Sequence, residues 1–163
     1  MLTRILVPLD GSVLAGMALD LVKRLAGSNS EITLITSVFV PETPIYAEAP
    51  LLSMPPSFPT LESAKADAKR HLEEVTNHLR DSGYHVNYRV EVGDPVENIT
   101  RVANELDVDM IAMSTHGRSG LSRLIFGSVT SGVLKAALRP VLVIPSNYTQ
   151  RQEEREISEL NFS

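Results

Sequence analysis

The sequence predicts one doubly wound α/β domain, with a single five-stranded parallel sheet and helices on both of its faces. Short apolar runs typical of buried strands alternate along the chain with longer amphipathic stretches of helical period. This alternation requires parallel strands, because right-handed crossovers return the chain to the sheet in the same direction each time. The chain has 163 residues, 43% of them apolar, which suffices for one domain with a substantial core.

The first half of the chain supplies two strands and two helices. Apolar runs at residues 5–9 and 32–38 predict the first two strands. The first helix ends before Gly27, and its apolar repeat at helical spacing consists of Leu14, Ala18, Leu21 and Leu25. The second helix is longer and closes at residues 81–83, and its stripe consists of Ala64, Ala68, Leu72, Val75 and Leu79.

The third strand and third helix follow directly. Alternation of apolar and polar residues predicts the strand, with Val86, Tyr88, Val90 and Val92 on one face. Asp94 and Pro95 then mark a helix start, because aspartate can cap free backbone N–H groups and proline suits the first helical position. Glu97 can complete a capping box with Asp94.

The last third of the chain completes the sheet. Residues 110–113 form a fourth apolar run, a helical pattern extends from Gly127 to about Leu138, and the run VLVI after Pro140 predicts the fifth strand. We expect the strand order 3-2-1-4-5, with the order reversing between the first and fourth strands.

Two segments interrupt this pattern. A long proline-rich loop occupies residues 41–60, and loops of this length are usually mobile or functional. Residues 147–163 are polar and charged, and we expect a frayed C-terminal tail there. The predicted domain therefore covers residues 1–146.

Composition and charge exclude several kinds of partner and site. A formal net charge of −5 argues against a broad nucleic-acid or anionic-membrane surface, because both partners need a basic face. Without cysteine there is no disulfide, thiolate metal site or cysteine nucleophile. The apolar run near the start is too short for a signal or membrane span, so we expect a cytoplasmic protein. His71 and His78 lie among charged neighbours, which indicates a solvated surface, and we expect no metal site built from protein ligands alone.

Two polar clusters are expected to flank one crevice. Ligands of open parallel sheets bind at the carboxyl ends of the strands, where the strand order reverses. Asp10 ends the first strand, and Ser114 begins the loop after the fourth. A lone Asp-Gly-Ser triplet is usually only a capped turn, but its pairing with a glycine-rich loop favours a ligand site.

The loop after the fourth strand indicates an anionic ligand. Glycine lets the backbone approach an anion closely, and Gly127 and Ser128 stand at the start of a helix whose first N–H groups lack intrahelical partners. Arg118 and Arg123 add local positive charge, and hydroxyl donors are supplied by Ser119, Ser122, Ser128 and Thr130. The chain has neither a P-loop nor a GxGxxG fingerprint. Gly132 inside the helix allows either close helix packing or the approach of a ligand.

The same residues resemble the ATP-binding members of the universal stress protein family. Those members carry glycine, two residues, glycine, nine residues, then glycine with serine or threonine. Here Ser114, Gly117, Gly127 and Ser128 stand in that frame, with Ser114 in place of the leading glycine. The resemblance also covers ILVPLDGS, GDPVENI and RPVLVIP, and so extends over nearly the whole chain to Pro145. It implies a Rossmann-like fold of the adenine nucleotide alpha hydrolase type.

The resemblance implies a set of ligand contacts. Adenine would lie near Pro8 and Val38, with Met113 supporting the ring, and Asp10 would accept from the ribose hydroxyls or position a metal through water. Ser114 would lie where the family's backbone passes close to the ribose and phosphates. The phosphates, with Mg²⁺ or Mn²⁺ bound through them, would be held by Thr115, His116, Gly117, Arg118, Ser119, Gly120, Gly127, Ser128, Val129 and Thr130. It also implies a homodimer in which the final strands, Val141 to Ile144, meet across a two-fold axis, which would cover an apolar edge.

Three functions remain open on these residues. The first is a nucleotide-binding regulator of a stress response that holds ATP, AMP or ADP, hydrolyses it slowly if at all and acts on a protein partner that the sequence does not identify. The second is a slow ATPase or nucleotidyl-transferring enzyme, because positioning and electrostatics alone can support phosphoryl transfer. The third is an interaction module for a partner or a cyclic nucleotide such as cAMP. This function remains open because Ser114 replaces the leading glycine of the ATP-binding members. His116 has no carboxylate partner that the sequence can assign, so we expect it to shape the loop and name no catalytic residue.

Overall fold

The computed structural model describes residues 2–39, 60–114, 127–145 and residue 148, with only the backbone described at 13–15. Within these residues, five strands and four helices alternate in the predicted order. In chain order they are β1 (Arg4–Pro8), α1 (Val13–Leu25), β2 (Glu31–Val38), α2 (Leu61–Asp81), β3 (His85–Val92), α3 (Pro95–Glu105), β4 (Met110–Ser114), α4 (Ser128–Ala136) and β5 (Val141–Ile144).

The five strands form one parallel sheet in the order β3-β2-β1-β4-β5. β1 lies in the centre, where Ile5 pairs with Ile32 of β2 on one side and with Met110 of β4 on the other. The predicted fold class and strand order are therefore confirmed. The strand order reverses at β1 and β4, so their carboxyl ends frame the crevice expected in such a sheet.

Side chains of the central strands alternate between two apolar cores, one on each face of the sheet. Ile5 and Val7 of β1 join the core that includes α1 and α2, whereas Leu6 joins the core that includes Ile99 of α3 and Val133 of α4. All five of these side chains are buried. Because successive residues of a strand point to opposite faces, this division shows that helices cover the sheet on both sides.

The helix start predicted at Asp94 and Pro95 is confirmed. Asp94 Oδ1 accepts a hydrogen bond of 2.9 Å from the Glu97 amide, and Pro95 is the first residue of α3. The end of α4 differs from the prediction, because the helix stops at Ala136 and Ala137 adopts an extended conformation with ψ 134°. This early end lets the chain turn back toward β5.

Most of the predicted long loop and tail falls outside the described residues. Tyr148 is the described part of the tail. Its amide donates to the Pro145 carbonyl over 2.9 Å, and its ring lies 5.6 Å from the Arg24 guanidinium of α1. Tyr148 also packs against the apolar core on the α1 face. Among the helices of the described ranges, none combines the length and hydropathy needed to cross a membrane.

Candidate functional site

A cavity of about 450 Å³ opens at the carboxyl edge of the sheet, beside the ends of β1 and β4. This is the position where open parallel sheets bind ligands, and the volume lies within the usual range for small-molecule sites. The cavity is lined by Pro8, Leu9, Asp10, Ile35, Ser37, Pro95, Ile99, Met113, Ser114, Gly127, Ser128, Val129 and Thr130.

Hydrogen bonds between the chain after β1 and the end of β2 fix one rim of the cavity. The Leu9 amide donates to the Ile35 carbonyl over 2.8 Å, and the Thr36 hydroxyl donates to the Leu9 carbonyl over 2.8 Å. Both polar groups of the Leu9 backbone are thereby paired. The residue that follows, Asp10, is held at the rim by this arrangement.

Asp10 accepts a hydrogen bond within the turn that follows β1, and it also lines the cavity. Its Oδ1 accepts a hydrogen bond of 2.9 Å from the Ser12 amide. Gly11 between them has a φ of 77°, a left-handed conformation that favours glycine. A carboxylate offers about four lone-pair sites, so the turn does not use up its capacity to accept. The capped turn and the ligand position are therefore compatible roles for one residue.

The first turn of α4 forms the opposite rim. Gly127 is the N-cap residue and has no side chain with which to cap the helix, and the Ser131 amide donates to the Gly127 carbonyl over 2.9 Å. The amides of residues 128–130 come before this first helical hydrogen bond, so the helix itself offers them no carbonyl acceptor. Ser128, Val129 and Thr130 all line the cavity. Their N–H groups and the helix dipole make this rim favourable for an anion.

An apolar wall connects the two rims. Ile35 of β2, Ile99 of α3 and Met113 of β4 are at most 5% exposed and line the cavity together with Pro95 and Val129. Such a wall suits a flat apolar group, because burying it there removes apolar surface from water. Ser37, a polar residue on the same face of β2 as Ile35, also lines the cavity.

The structure brings together eight of the residues that the sequence predicted for the site. They are Pro8, Asp10, Met113, Ser114, Gly127, Ser128, Val129 and Thr130. The remaining positions of the predicted phosphate loop lie outside the described residues, and they are Thr115, His116, Gly117, Arg118, Ser119 and Gly120.

Val38 is not part of the lining, although the sequence placed it beside adenine. Its side chain is buried, and its carbonyl accepts a hydrogen bond of 3.0 Å from the Gly93 amide. Because side chains alternate along a strand, Val38 points to the face opposite Ser37, and the cavity lies on the face of Ser37 and Ile35.

Sequence reasoning missed five lining residues, which are Leu9, Ile35, Ser37, Pro95 and Ile99. Strand alternation offered a signal for two of them, because odd-numbered residues of β2 share one face. No comparable signal existed for Pro95 and Ile99. They reach the cavity because α3 packs beside α4, a contact that the sequence does not specify.

The donor set of the site suits an anion better than a bare metal ion. Among the residues that the structure describes, no three histidine, aspartate or glutamate side chains are grouped to hold a metal. The described part of the lining holds one carboxylate, Asp10, together with hydroxyl and amide donors. A metal ion at this site would need most of its ligands from a bound molecule.

Sequence comparison identifies relatives of this chain. Universal stress protein MJ0577 of Methanocaldococcus jannaschii is 38% identical over 78 residues, which are 48% of this chain and 48% of the relative. Universal stress protein MJ0531 of the same organism is 32% identical over 83 residues, covering 51% and 49% of the two chains. The matched region spans about half the length of these curated relatives.

Solved structures share the fold over more of the chain. The structure of MJ0577 matches with a TM-score of 0.68 and 31% identity, covering 89% of this chain and 96% of that chain. A universal stress protein solved in complex with cAMP matches with a TM-score of 0.64 over 89% and 98% of the two chains, and its 20% identity shows the fold alone. The universal stress protein family itself matches residues 1–145. Because this match covers most of the sequence, the chain belongs to the universal stress protein family.

Proposed function

We propose that this protein binds an adenine nucleotide, ATP in the first place, in the cavity at the ends of β1 and β4. One observation carries the proposal: the same cavity has a carboxylate on one rim, a helix N-terminus on the other and an apolar wall between them. These three surfaces match the ribose, the phosphates and the base of a nucleotide. AMP, ADP and cAMP share that chemistry and are the alternative ligands.

Each part of the nucleotide has a matching part of the lining. The base packs against Ile35, Ile99 and Met113, and the ribose hydroxyls donate to Asp10. The phosphates accept from the amides and hydroxyls of residues 128–130, where the helix dipole favours negative charge. Mg²⁺ or Mn²⁺ would be bound through the phosphates, with Asp10 as the nearby carboxylate, and would neutralise part of their charge.

We further propose that the protein is a cytoplasmic regulator with little or no hydrolysis, formed by one domain over residues 1–146. The described lining contains no histidine or lysine that could act as a general base beside the phosphates. Family membership supports a role in stress responses. Nucleotide occupancy would then alter the shape of the protein or its choice of protein partner.

The same proposal includes a homodimer through β5. This strand lies at the edge of the sheet, and Val141, Leu142 and Val143 are only half-buried in the single chain. Leu134 and Leu138, next to β5 in the chain, are exposed. Pairing two such edges would remove apolar surface and unpaired backbone groups from water.

One experiment tests the nucleotide assignment. The protein is purified without added nucleotide and denatured, and any released nucleotide is identified by mass. Retained ATP with negligible phosphate release supports a binding regulator, whereas brisk phosphate release supports the second candidate, a slow ATPase. The Gly127→Arg variant should release no nucleotide, because its side chain would occupy the α4 rim of the cavity. A Cβ added at Gly127 meets no atom of the described residues within 4 Å, and circular dichroism checks that the variant is folded. A wild-type protein that neither retains nor rebinds any adenine nucleotide would contradict the proposal.

A further inference from the structure

Asn98 of α3 connects the cavity to a charged cluster on the protein surface. Its side chain is 6% exposed and lies between Ser37 of β2 and Arg101. The Asn98 Nδ2 donates to Ser37 Oγ over 3.3 Å, and Arg101 Nη2 donates to Asn98 Oδ1 over 3.2 Å. The buried amide thus has one partner on the surface and one partner in the cavity lining.

The orientation of the Asn98 amide follows from the chemistry of Arg101. A guanidinium can only donate hydrogen bonds, so the amide atom facing it must be the oxygen. Arg101 is itself held in place, because Nη2 donates to Glu91 Oε2 over 2.8 Å and Nη1 donates to Glu105 Oε1 over 2.7 Å. The hydrogen bond from Arg101 also lowers the pKa of Glu105, which keeps this carboxylate charged. With Oδ1 facing Arg101, the NH₂ group of Asn98 must face Ser37.

Ser37 therefore accepts from Asn98, and its single hydroxyl proton must point to a different partner. A serine hydroxyl can accept and donate at the same time. Ser37 lines the cavity on the same strand face as the apolar Ile35, and Ile99 of α3 also belongs to the lining. A hydrogen-bond donor in an apolar wall is a specificity element, because a ligand that offers no acceptor there leaves a buried polar group unpaired.

We propose that Ser37 is a specificity-determining residue that donates its hydroxyl proton to a ring nitrogen of the ligand's base, and that Asn98 positions it as a donor. This inference rests on the proposed function, because it assigns the apolar wall to the base. Adenine presents unprotonated ring nitrogens as acceptors, so a hydroxyl held as a donor matches it. The ribose and phosphates, in contrast, belong to the rims formed by Asp10 and α4.

Binding of modified nucleotides to Ser37→Ala tests the direct contact. Affinities are measured for ATP and for three analogues in which N1, N3 or N7 is replaced by C–H. We expect wild-type protein to bind one of these analogues about 3- to 10-fold more weakly than ATP, the effect of one hydrogen bond. Ser37→Ala should bind ATP and that analogue equally, whereas Ser37→Thr, which keeps the hydroxyl, should retain the discrimination.

The Asn98→Asp variant tests the positioning role without altering Ser37. A carboxylate at this position accepts from both Arg101 and Ser37, so the serine proton would be directed away from the cavity. The analogue discrimination should then disappear as it does in Ser37→Ala. Asn104→Asp is the matched control, because it makes the same change at an exposed position of the same helix and should keep the discrimination.

Each outcome separates the two proposals. If wild-type protein binds no adenine nucleotide, the proposed function fails and the role of Ser37 fails with it. If wild-type protein binds ATP but Ser37→Ala weakens ATP and all three analogues by one common factor, or changes none of them, only the role of Ser37 is overturned. Discrimination that persists in Asn98→Asp but is lost in Ser37→Ala overturns the positioning role of Asn98 alone.

Discussion

Gly132 of α4 lies so close to Val96 of α3 that a Cβ atom on the glycine would be 2.5 Å from Val96 Cγ2. The sequence allowed either close helix packing or the approach of a ligand at Gly132, and this contact supports helix packing. The first turns of both helices line the cavity, through Pro95 and Val129 among others. The absence of one side chain therefore sets the separation of two walls of the candidate site.

Gly132→Ala should destabilise the protein by about 1 kcal/mol. A β-branched residue in a helix has one strongly preferred rotamer, so Val96 cannot move aside cheaply, and overpacking costs ~1–3 kcal/mol. The gain of about 1 kcal/mol in helix propensity offsets part of this cost. Urea unfolding of the two proteins measures the difference.

Gly16→Ala in α1 is the matched control for Gly132→Ala. A Cβ at Gly16 meets no described atom within 4 Å, so the same substitution should stabilise the protein by up to about 1 kcal/mol. The double variant Val96→Ala/Gly132→Ala should recover part of the loss caused by Gly132→Ala. Equal stabilisation by both single alanine substitutions would show that the α3–α4 contact is not tight.

Thr76→Val should stabilise the protein by about 1 kcal/mol. The Thr76 side chain in α2 is 1% exposed, and its hydroxyl has no hydrogen-bond partner within the described part of the chain. Leaving a buried hydroxyl unpaired costs ~1–3 kcal/mol, and valine keeps nearly the same shape without that group. Thermal unfolding measures the gain.

The control for this substitution is Thr100→Val in α3. The Thr100 hydroxyl donates to the Val96 carbonyl over 2.8 Å, so removing it should bring no comparable gain. A loss of stability in Thr76→Val would indicate that the Thr76 hydroxyl has a partner, such as a bound water.

Asp109→Asn should lower the free energy of unfolding near neutral pH. The difference in stability between this variant and wild type should disappear in acid. Amide donors from Thr3 and Arg4 and the Thr3 hydroxyl lower the pKa of Asp109 from 3.8 to about 2. Because the folded-state pKa is the lower one, this stabilisation is present above pH 3.8 and is lost as the pH falls through about 2. Urea midpoints at several pH values measure the gap.

Asp67→Asn serves as the control for the pH experiment. Asp67 is exposed on α2 and forms a surface ion pair with Arg70, a kind of contact that contributes little to stability. The urea midpoint of Asp67→Asn should equal that of wild type at every pH measured. A gap for Asp109→Asn that stays constant down to the lowest pH would contradict the linkage to the Asp109 carboxylate.

Ser128→Pro should weaken ATP binding about 10-fold without unfolding the protein. Proline is tolerated at the first position of a helix, and Gly127 before it has φ −61° and ψ 164°, which suits a residue preceding proline. The substitution removes one amide donor from the cavity rim, and a hydrogen bond to a charged group contributes ~1.5–3 kcal/mol. Calorimetry on ATP and on adenosine measures the effect.

Adenosine has no phosphate, so its binding should change little in Ser128→Pro. Ser128→Ala keeps the backbone amide and removes only the hydroxyl, and it should weaken ATP binding less than proline does. If proline weakened adenosine and ATP equally, the α4 rim would not be the phosphate site.

Local signals in the sequence were sufficient for the elements and their order. The Asp94-Pro95 helix start and the apolar runs of β1, β2 and β4 depend on residues only a few positions apart, and alternation of strand and helix implies a parallel sheet. The ends of elements were less predictable. α4 stops at Ala136 rather than near Leu138, because the path toward β5 sets where the helix must end.

The sequence by itself determined the fold class and predicted the candidate site at the carboxyl edge, with residues at the ends of β1 and β4 and at the start of α4. The fold class, Asp10, Ser114 and the start of α4 follow from periodicity, capping chemistry and strand direction, all of which act over short stretches of chain. Pro8, Met113 and Val129 were implied by the family resemblance. Only the tertiary structure decided that Ser37 rather than Val38 lines the cavity, that Ile99 reaches it, and that Gly132 serves helix packing. These features depend on contacts between residues distant in sequence, where strand rotation and helix separation of a few ångströms decide which side chains meet.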